Sequence, residues 1–265
     1  MARFSPLFSG SSGNSYYIGS SDAGILVDAG RSAKQLTEML GRIKVQPQAI
    51  QAILVTHEHI DHVRGLRVFA SRHHIPVFAT TGTLRALEEQ GVSNGSFVCS
   101  SHHMQPFTCA GVEITPFPTS HDCAEGCGYK VRYADGRTLA VATDLGCLSE
   151  AVKTQIIGCD FVVLESNHDP DLLRMTQRYS ASLKARILGA RGHLSNEECA
   201  KALLCLAQTG VRNVILGHLS QETNNPELAF DTVCRLLKAG GIAPQRELRV
   251  DLAWRDRLGG YYEIR

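Results

Sequence analysis

Four side chains that can bind a metal lie within six positions in Thr56-His57-Glu58-His59-Ile60-Asp61-His62, directly after the apolar run Ala52–Thr56. A strand end is a rigid mount for a short loop. Alternate residues His57 and His59 can face one ion, while Asp61 and His62 turn to a neighbouring one. Imidazole with carboxylate suits zinc and also tolerates manganese or iron. A merely polar loop would have no reason to crowd so many such groups together. More candidates stand at predicted strand ends: Asp28 in LVDAG, His121 in TSHD, Asp144 in ATDLG and His218 in ILGHLS. Singly, each reads as a structural polar residue. Together with THEHIDH they read as the rest of a metal centre.

Three further segments carry chemistry. In Phe8–Ser15, glycines and serines let backbone N–H groups and hydroxyls approach an anion, which makes Ser11, Ser12 and Asn14 candidate phosphate contacts; a tight β-turn is the plainer reading. In Leu164–Asp169, the carboxylate of Glu165 at a buried strand end needs a partner, and His168 reads equally as a phosphate contact or a polar loop residue. In Gly192–Glu197, His193 precedes a helix N-cap, where an anionic group is favoured. Glu165 and His193 suggest a pair. The carboxylate would raise the imidazole pKa and hold a proton ready for a leaving oxygen. Ser195, Ser220 and Asn224 sit beside the two HLS motifs as further candidate phosphate contacts.

The elements that must position these residues fall into two halves. The first predicts strands at Leu7–Phe8, Ser15–Ile18, Gly24–Asp28, Ala52–Thr56 and Pro76–Ala79, with helices at Ala33–Leu40, Val63–His73 and Thr83–Gln90. The second predicts strands at Val112–Phe117, Gly128–Tyr133, Thr138–Ala142, Phe161–Glu165 and Asn213–Leu216. Its helices are Leu148–Ile157, Arg178–Leu188, Asn196–Gln208 and Pro226–Lys238. Repeated strand-then-mixed grammar points to an α/β chain with two sheets face to face and helices outside, a four-layer αββα sandwich. Composition alone leaves a doubly wound sheet open. No long linker or low-complexity tract interrupts residues 1–265, so one domain is expected.

The chain is 43% hydrophobic and 20% charged, ordinary for a soluble globular protein. No apolar run approaches the ~20 residues of a membrane span, and the N-terminal stretch has no apolar core of a signal peptide, so a cytoplasmic protein with no membrane partner is expected. Nine scattered cysteines read as reduced thiols; Cys123 and Cys127 form a lone CxxxC, a weak metal signal. A formal net charge of +1 predicts no partner, and no obligate protein partner is legible. From Leu172 to Asn196, however, five cations (Arg174, Arg178, Lys184, Arg186, Arg191) occur without an acid. That stretch is either a solvated helix face or a phosphate-binding patch. His73, His74, His102 and His103 receive no role; the last two could bind metal as a pair, but a solvated loop is the favoured reading.

THEHIDH matches the HxHxDH motif of the metallo-β-lactamase superfamily, and the resemblance runs from LVDAG through ILGHLS. It implies an αββα fold and a site for two divalent transition-metal ions, zinc or manganese, with iron an option. By that resemblance His57, His59 and His121 hold one ion, Asp61, His62 and His218 the other, and Asp144 bridges them. Asp28 would fix the HxHxDH loop by hydrogen bonds. The ions would share a water whose hydroxide is the nucleophile, oriented by Asp61. Asp rather than Cys at position 144 points away from the antibiotic-hydrolysing branch. The Glu165 and His193 motifs resemble those of the RNase Z-like branch, which makes His193 a candidate general acid and Glu165 its orienting partner.

SGSSGNS, ESNHD, the LKARI…GHLSN pair and GHLSQETNNP together resemble the YycJ/WalJ family, regarded as 5′→3′ DNA exonucleases; HDCAEGCGY departs from it at Cys123 and Cys127. Only 48 residues separate Asp144 from His193, too few for the clamping insertion of β-CASP nucleases, and no long substrate arm is visible. The leading expectation is therefore a two-metal phosphodiesterase whose partner is nucleic acid, DNA above all. A hydrolase of lactones, thioesters or small phosphodiesters, and a non-catalytic binding member, are the alternatives.

Overall fold

The computed structural model describes residues 3–260, 262 and 263. Its strands are β1 (Arg3–Phe8), β2 (Ser15–Gly19), β3 (Gly24–Val27), β4 (Ile50–Leu54), β5 (Val77–Ala79), β6 (Cys99–Ser101), β7 (Phe107–Cys109), β8 (Val112–Pro118), β9 (Cys127–Arg132), β10 (Thr138–Ala142), β11 (Phe161–Glu165), β12 (Asn213–Gly217), β13 (Arg249–Leu252) and β14 (Tyr262–Glu263). The α-helices are α1 (Ala33–Arg42), α2 (Ile60–Val63), α3 (Leu66–His73), α4 (Thr81–Glu89), α5 (Glu150–Ile156), α6 (Pro170–Met175), α7 (Ala181–Leu188), α8 (Asn196–Gln208) and α9 (Pro226–Ala239).

Two seven-stranded sheets form, ordered β14-β1-β2-β3-β4-β5-β6 and β13-β12-β11-β10-β9-β8-β7. In each, antiparallel pairs give way to parallel ones, at β3–β4 in the first and β10–β11 in the second. Strand alternation assigns the layers. Ile25, Val27, Ala52 and Leu54 face inward against Leu139, Val141, Val163 and Ile215. Their neighbours Leu26, Ile53 and Val55 face outward onto Leu36, Leu40 and Phe69 of α1 and α3. Likewise Ala140, Ala142, Val162 and Leu164 turn to α5, α8 and α9 through Val152, Leu203, Leu206 and Val233. Central strands buried on both faces explain why they read as unbroken apolar runs. This is the αββα sandwich expected from sequence.

The structure differs from expectation in two ways. The single helix predicted over Val63–His73 is two helices broken at Gly65, where a Cβ would overlap the Arg31 carbonyl oxygen. Short edge strands β6, β7, β13 and β14, and helix α6, were not visible in the local pattern. No helix among the described residues is long and apolar enough to cross a membrane.

Candidate metal centre

The chemistry-bearing residues collect at one edge of the sandwich, beyond the carboxyl ends of the inner strands. Asp28 follows β3, the His57–His62 segment follows β4, Asp144 follows β10, Glu165 ends β11 and His218 follows β12. Ligand crevices of parallel sheets form at such ends. Three of these residues leave their strands in the left-handed region: Asp28 at φ 63°, Asp144 at 59° and His218 at 54°. That backbone is costly for most residues, but Asp and His tolerate it best, and such strain gathers at functional sites. Gly30 allows the close approach that holds the loop: any Cβ there would overlap the Asp61 carbonyl oxygen, and Gly30 N–H donates to Asn14 O at 2.8 Å.

Four groups of donor atoms lie within 4.8 Å of one another: His57, His59 and His121; His57, His62 and Asp144; Asp61, His62 and His218; and Asp144, Glu165, His193 and His218. Imidazole orientation is set from behind. His57 Nδ1 lies 3.0 Å from Thr56 Oγ1, His62 Nδ1 2.7 Å from Asp28 Oδ2, and His121 Nδ1 3.0 Å from Gly192 O. Each hydrogen bond fixes a tautomer and aims Nε2 inward. Asp28 also accepts from Thr56 N–H at 2.8 Å and Thr56 Oγ1–H at 2.9 Å, so it ties the whole loop to β3.

Whether a cation fits is answered by the orphans. His57 Nε2 and Asp144 Oδ2 are buried with no hydrogen-bond partner. Unpaired buried polar atoms are rare because desolvation is costly, and a metal satisfies both at once. Burial pulls the His57 pKa well below its usual value, which leaves the neutral imidazole that binds metal. Burial also disfavours a charged Asp144, but His218 and His62 outweigh it and hold its carboxyl well below the usual range.

Glu165 differs from Asp144, and resembles Asp28, in that its acceptors are already used. Oε1 meets His193 Nδ1 at 2.8 Å and His218 Nδ1 at 3.0 Å, while Oε2 accepts from Leu145 N at 2.8 Å and Leu194 N at 3.0 Å. Burial raises its pKa, yet His193 outweighs that and brings it to about 2. Burial likewise disfavours the His193 imidazolium, but the charge and hydrogen bond of Glu165 reverse the shift and raise its pKa.

A pocket of about 250 Å³ opens over this centre, lined by His59, Asp61, His121, Asp144, His193 and His218. Ser11 and Ser220 also reach it. The remaining candidate phosphate contacts are turned elsewhere. Ser12 Oγ accepts from Arg31, and Asn14 Nδ2 lies 3.3 Å from Asp61 Oδ2 and 3.0 Å from His62 Nε2. Ser195 caps α8 in a capping box with Glu198. Asn224 Nδ2 donates to the carbonyls of Ser166 and Asn167 at 2.9 Å each. His168 is fully buried, with neither ring nitrogen partnered.

Tertiary structure resolves the cationic stretch. Arg174 pairs with Asp171 at 2.7 Å, Arg178 with Glu222 at 2.6 Å and Arg186 with Asp122. Arg191 donates to the His121 carbonyl at 3.0 Å, and Lys184 to the Arg174 carbonyl at 2.7 Å. The stretch therefore works as a wall tied to the site, with Tyr179, Leu183 and Arg186 lining the pocket. Sequence reading missed Glu58, whose Oε1 accepts from Ala124 N at 2.8 Å and so joins the two histidine loops. Its place between two candidate ligands was the available signal. Cys123 and Cys127 join no metal-capable group among the described residues, and all nine cysteines are free. Burial pushes the Cys123 thiol up to about 12. His102 is no solvated loop residue. It is buried, stacked on Phe107 and 3.2 Å from Tyr129 Oη.

This fold and these clusters define a class. A family profile described as the β-lactamase superfamily domain matches residues 24–219, and the chain belongs to that family. Together they make it a metal-dependent hydrolase. Over 243 residues it is 37% identical to exodeoxyribonuclease YycJ of Bacillus anthracis, covering 91% of this chain and 90% of the relative. Over 252 residues it is 36% identical to exodeoxyribonuclease WalJ of Streptococcus pneumoniae, covering 94% and 93%. The crystal structure of the metallo-β-lactamase fold protein YhfI from Bacillus subtilis superposes with a TM-score of 0.71 at 14% identity, covering 99% of this chain and all of that one.

The effect of the hydrogen bonds behind the candidate ligands is measurable. Asp28→Asn keeps the shape and tolerates the left-handed backbone but removes the charge behind His62. Metal affinity is expected to fall ~10- to 100-fold in competition with a chromogenic chelator. Unchanged affinity would remove Asp28 from the site's support.

Proposed function

We propose that the chain is a two-metal phosphodiesterase that degrades DNA from the 5′ end, using zinc or manganese. The observation that carries this reading is the convergence of buried, unpartnered donor atoms on Asp144 and His57 beside the Glu165–His193 pair. The YycJ and WalJ relatives, named exodeoxyribonucleases, support the choice of DNA.

His57, His59 and His121 would hold one ion, and Asp61, His62 and His218 the other, with Asp144 shared between them. When bound, such ions supply an activated water and neutralise charge on the phosphoryl oxygens. Asp61, partly open to the pocket, accepts a hydrogen bond from the attacking water and orients it. His193 donates a proton to the leaving oxygen. Glu165 holds its Nδ1 side, so Nε2 is the proton-bearing atom that faces substrate. Ser11 and Ser220 contact the phosphate, while Ser12, Asn14, His168, Ser195 and Asn224 hold the walls around it.

The test uses metal-loaded protein with single- and double-stranded DNA and RNA labelled at either end. Release of mononucleotides from the 5′ end of DNA is expected, stopped by a chelator and restored by manganese or zinc. Turnover of a lactone or thioester with no cleavage of nucleic acid would replace this reading with a small-ester hydrolase.

A further inference from the structure

A second hollow of about 530 Å³ adjoins the catalytic pocket, and Ser220 lines both. The catalytic pocket, at about 250 Å³, falls below the ~300–1,000 Å³ usual for ligand sites. It has room for a reacting phosphodiester but little beyond. The neighbouring groove is in range, and its floor is built around Trp254, the one tryptophan of the chain.

Trp254 stands on a rigid mount. Its carbonyl accepts from Ser9 N–H at 3.0 Å, and Ser9 Oγ accepts in turn from the N–H of His218 at 2.8 Å. Ala253 N–H continues the sheet ladder to Leu216 O at 2.9 Å. The indole is half-buried, and the guanidinium of Arg257 lies 3.4 Å from a ring centroid. Arg257 is exposed, and no carboxylate pairs with it among the described residues. Asp256 is the one acid lining the groove, and it is already shared between Arg31 and Arg255. The lip is thus positive, the floor aromatic, and Gln221 adds an exposed amide along the wall.

The Arg257 guanidinium covers one face of this indole but is exposed and held by no carboxylate among the described residues, so it is free to turn to a phosphate and leave the ring to a base, the chemistry that holds a nucleotide by stacking and phosphate attraction. We propose that the Trp254–Arg257 groove is a nucleotide subsite, in which one base of the substrate strand stacks while the adjoining phosphodiester lies over the metal centre. Because every base has a π face, the subsite grips without reading sequence. The proposal rests on the nuclease reading above and deepens it.

Trp254 is also the reporter. Metal-loaded protein is titrated with a cleavage-resistant phosphorothioate oligodeoxynucleotide while tryptophan fluorescence is followed. Saturable quenching is expected. Trp254→Ala, measured by anisotropy of a labelled strand, should bind ~5- to 150-fold more weakly, with Trp254→Phe in between. An oligonucleotide with an abasic unit at the stacked position should weaken wild type by a similar factor and Trp254→Ala by far less. The abasic arm keeps the test intact if the alanine variant fails to fold. DNA that is bound and cut with no fluorescence response, and with abasic strands bound as tightly, overturns the subsite alone. Quenching by an apolar dye but not by oligonucleotide hands the groove to another ligand and also overturns it. Absence of any DNA binding or cleavage by wild type overturns the nuclease reading itself.

Discussion

Asp144→Asn is expected to lower turnover by at least ~10³-fold and to reduce bound metal below the wild-type stoichiometry, while the fold survives. Asparagine matches the carboxylate in shape and tolerates the left-handed backbone at φ 59°. What it loses is negative charge at the point where the donor groups overlap: Oδ1 lies 3.0 Å from His218 Nδ1, and Oδ2 lies 3.4 Å from His62 Nε2. A bound ion stabilises the native state by an amount that grows with the logarithm of its concentration over Kd, so wild-type protein should melt higher with added metal. The variant should show little of that rise. Elemental analysis and melting curves with and without metal read both effects. Full metal content with near-normal turnover would show that Asp144 holds nothing, and the two-metal reading would fail.

The second large effect belongs to a residue outside the proposed ligand set. His193→Ala should cut DNA cleavage by ~10²- to 10⁴-fold, the usual span for loss of a positioned general acid, with metal content retained. A structural role would lower all activities together. A proton donor gives a different signature, because a nitrophenolate leaves without needing a proton. Turnover of a nitrophenyl phosphodiester should therefore fall much less than turnover of DNA. Equal losses on both substrates would strip His193 of this role. The proximity of Glu165 makes the expectation specific, since its acceptors are spent on His193, His218 and two backbone N–H groups. Such a carboxylate serves to hold its neighbours.

Much of this was legible from local signals, for a physical reason. A metal centre of this type needs several donors on one short rigid loop, so His57, His59, Asp61 and His62 announce themselves by density. Strands buried on both faces must be apolar throughout, and they end abruptly where a polar residue of the candidate site begins, as at Asp28, Asp144 and His218. Capping residues are local as well, which is why the starts of α8 and α9 were readable.

What the chain alone could not decide was partnership across long separations. Arg186 and Arg178 look like free cations in sequence, because Asp122 and Glu222 reach them only after folding. His102 looks solvated until Phe107 and Tyr129 pack around it. Edge strands of two to four residues such as β7, β13 and β14 carry too little pattern to be seen without the neighbour that completes their hydrogen bonds. The same holds for Trp254. By itself it is one aromatic residue near the end of the chain, and the pairing of β13 with β12 together with the Ser9 bridge to His218 brings it beside the candidate metal centre. Residue types and local spacing determined which chemistry was on offer; burial, and the pairing of distant charges that burial enforces, decided which of those groups are free to perform it.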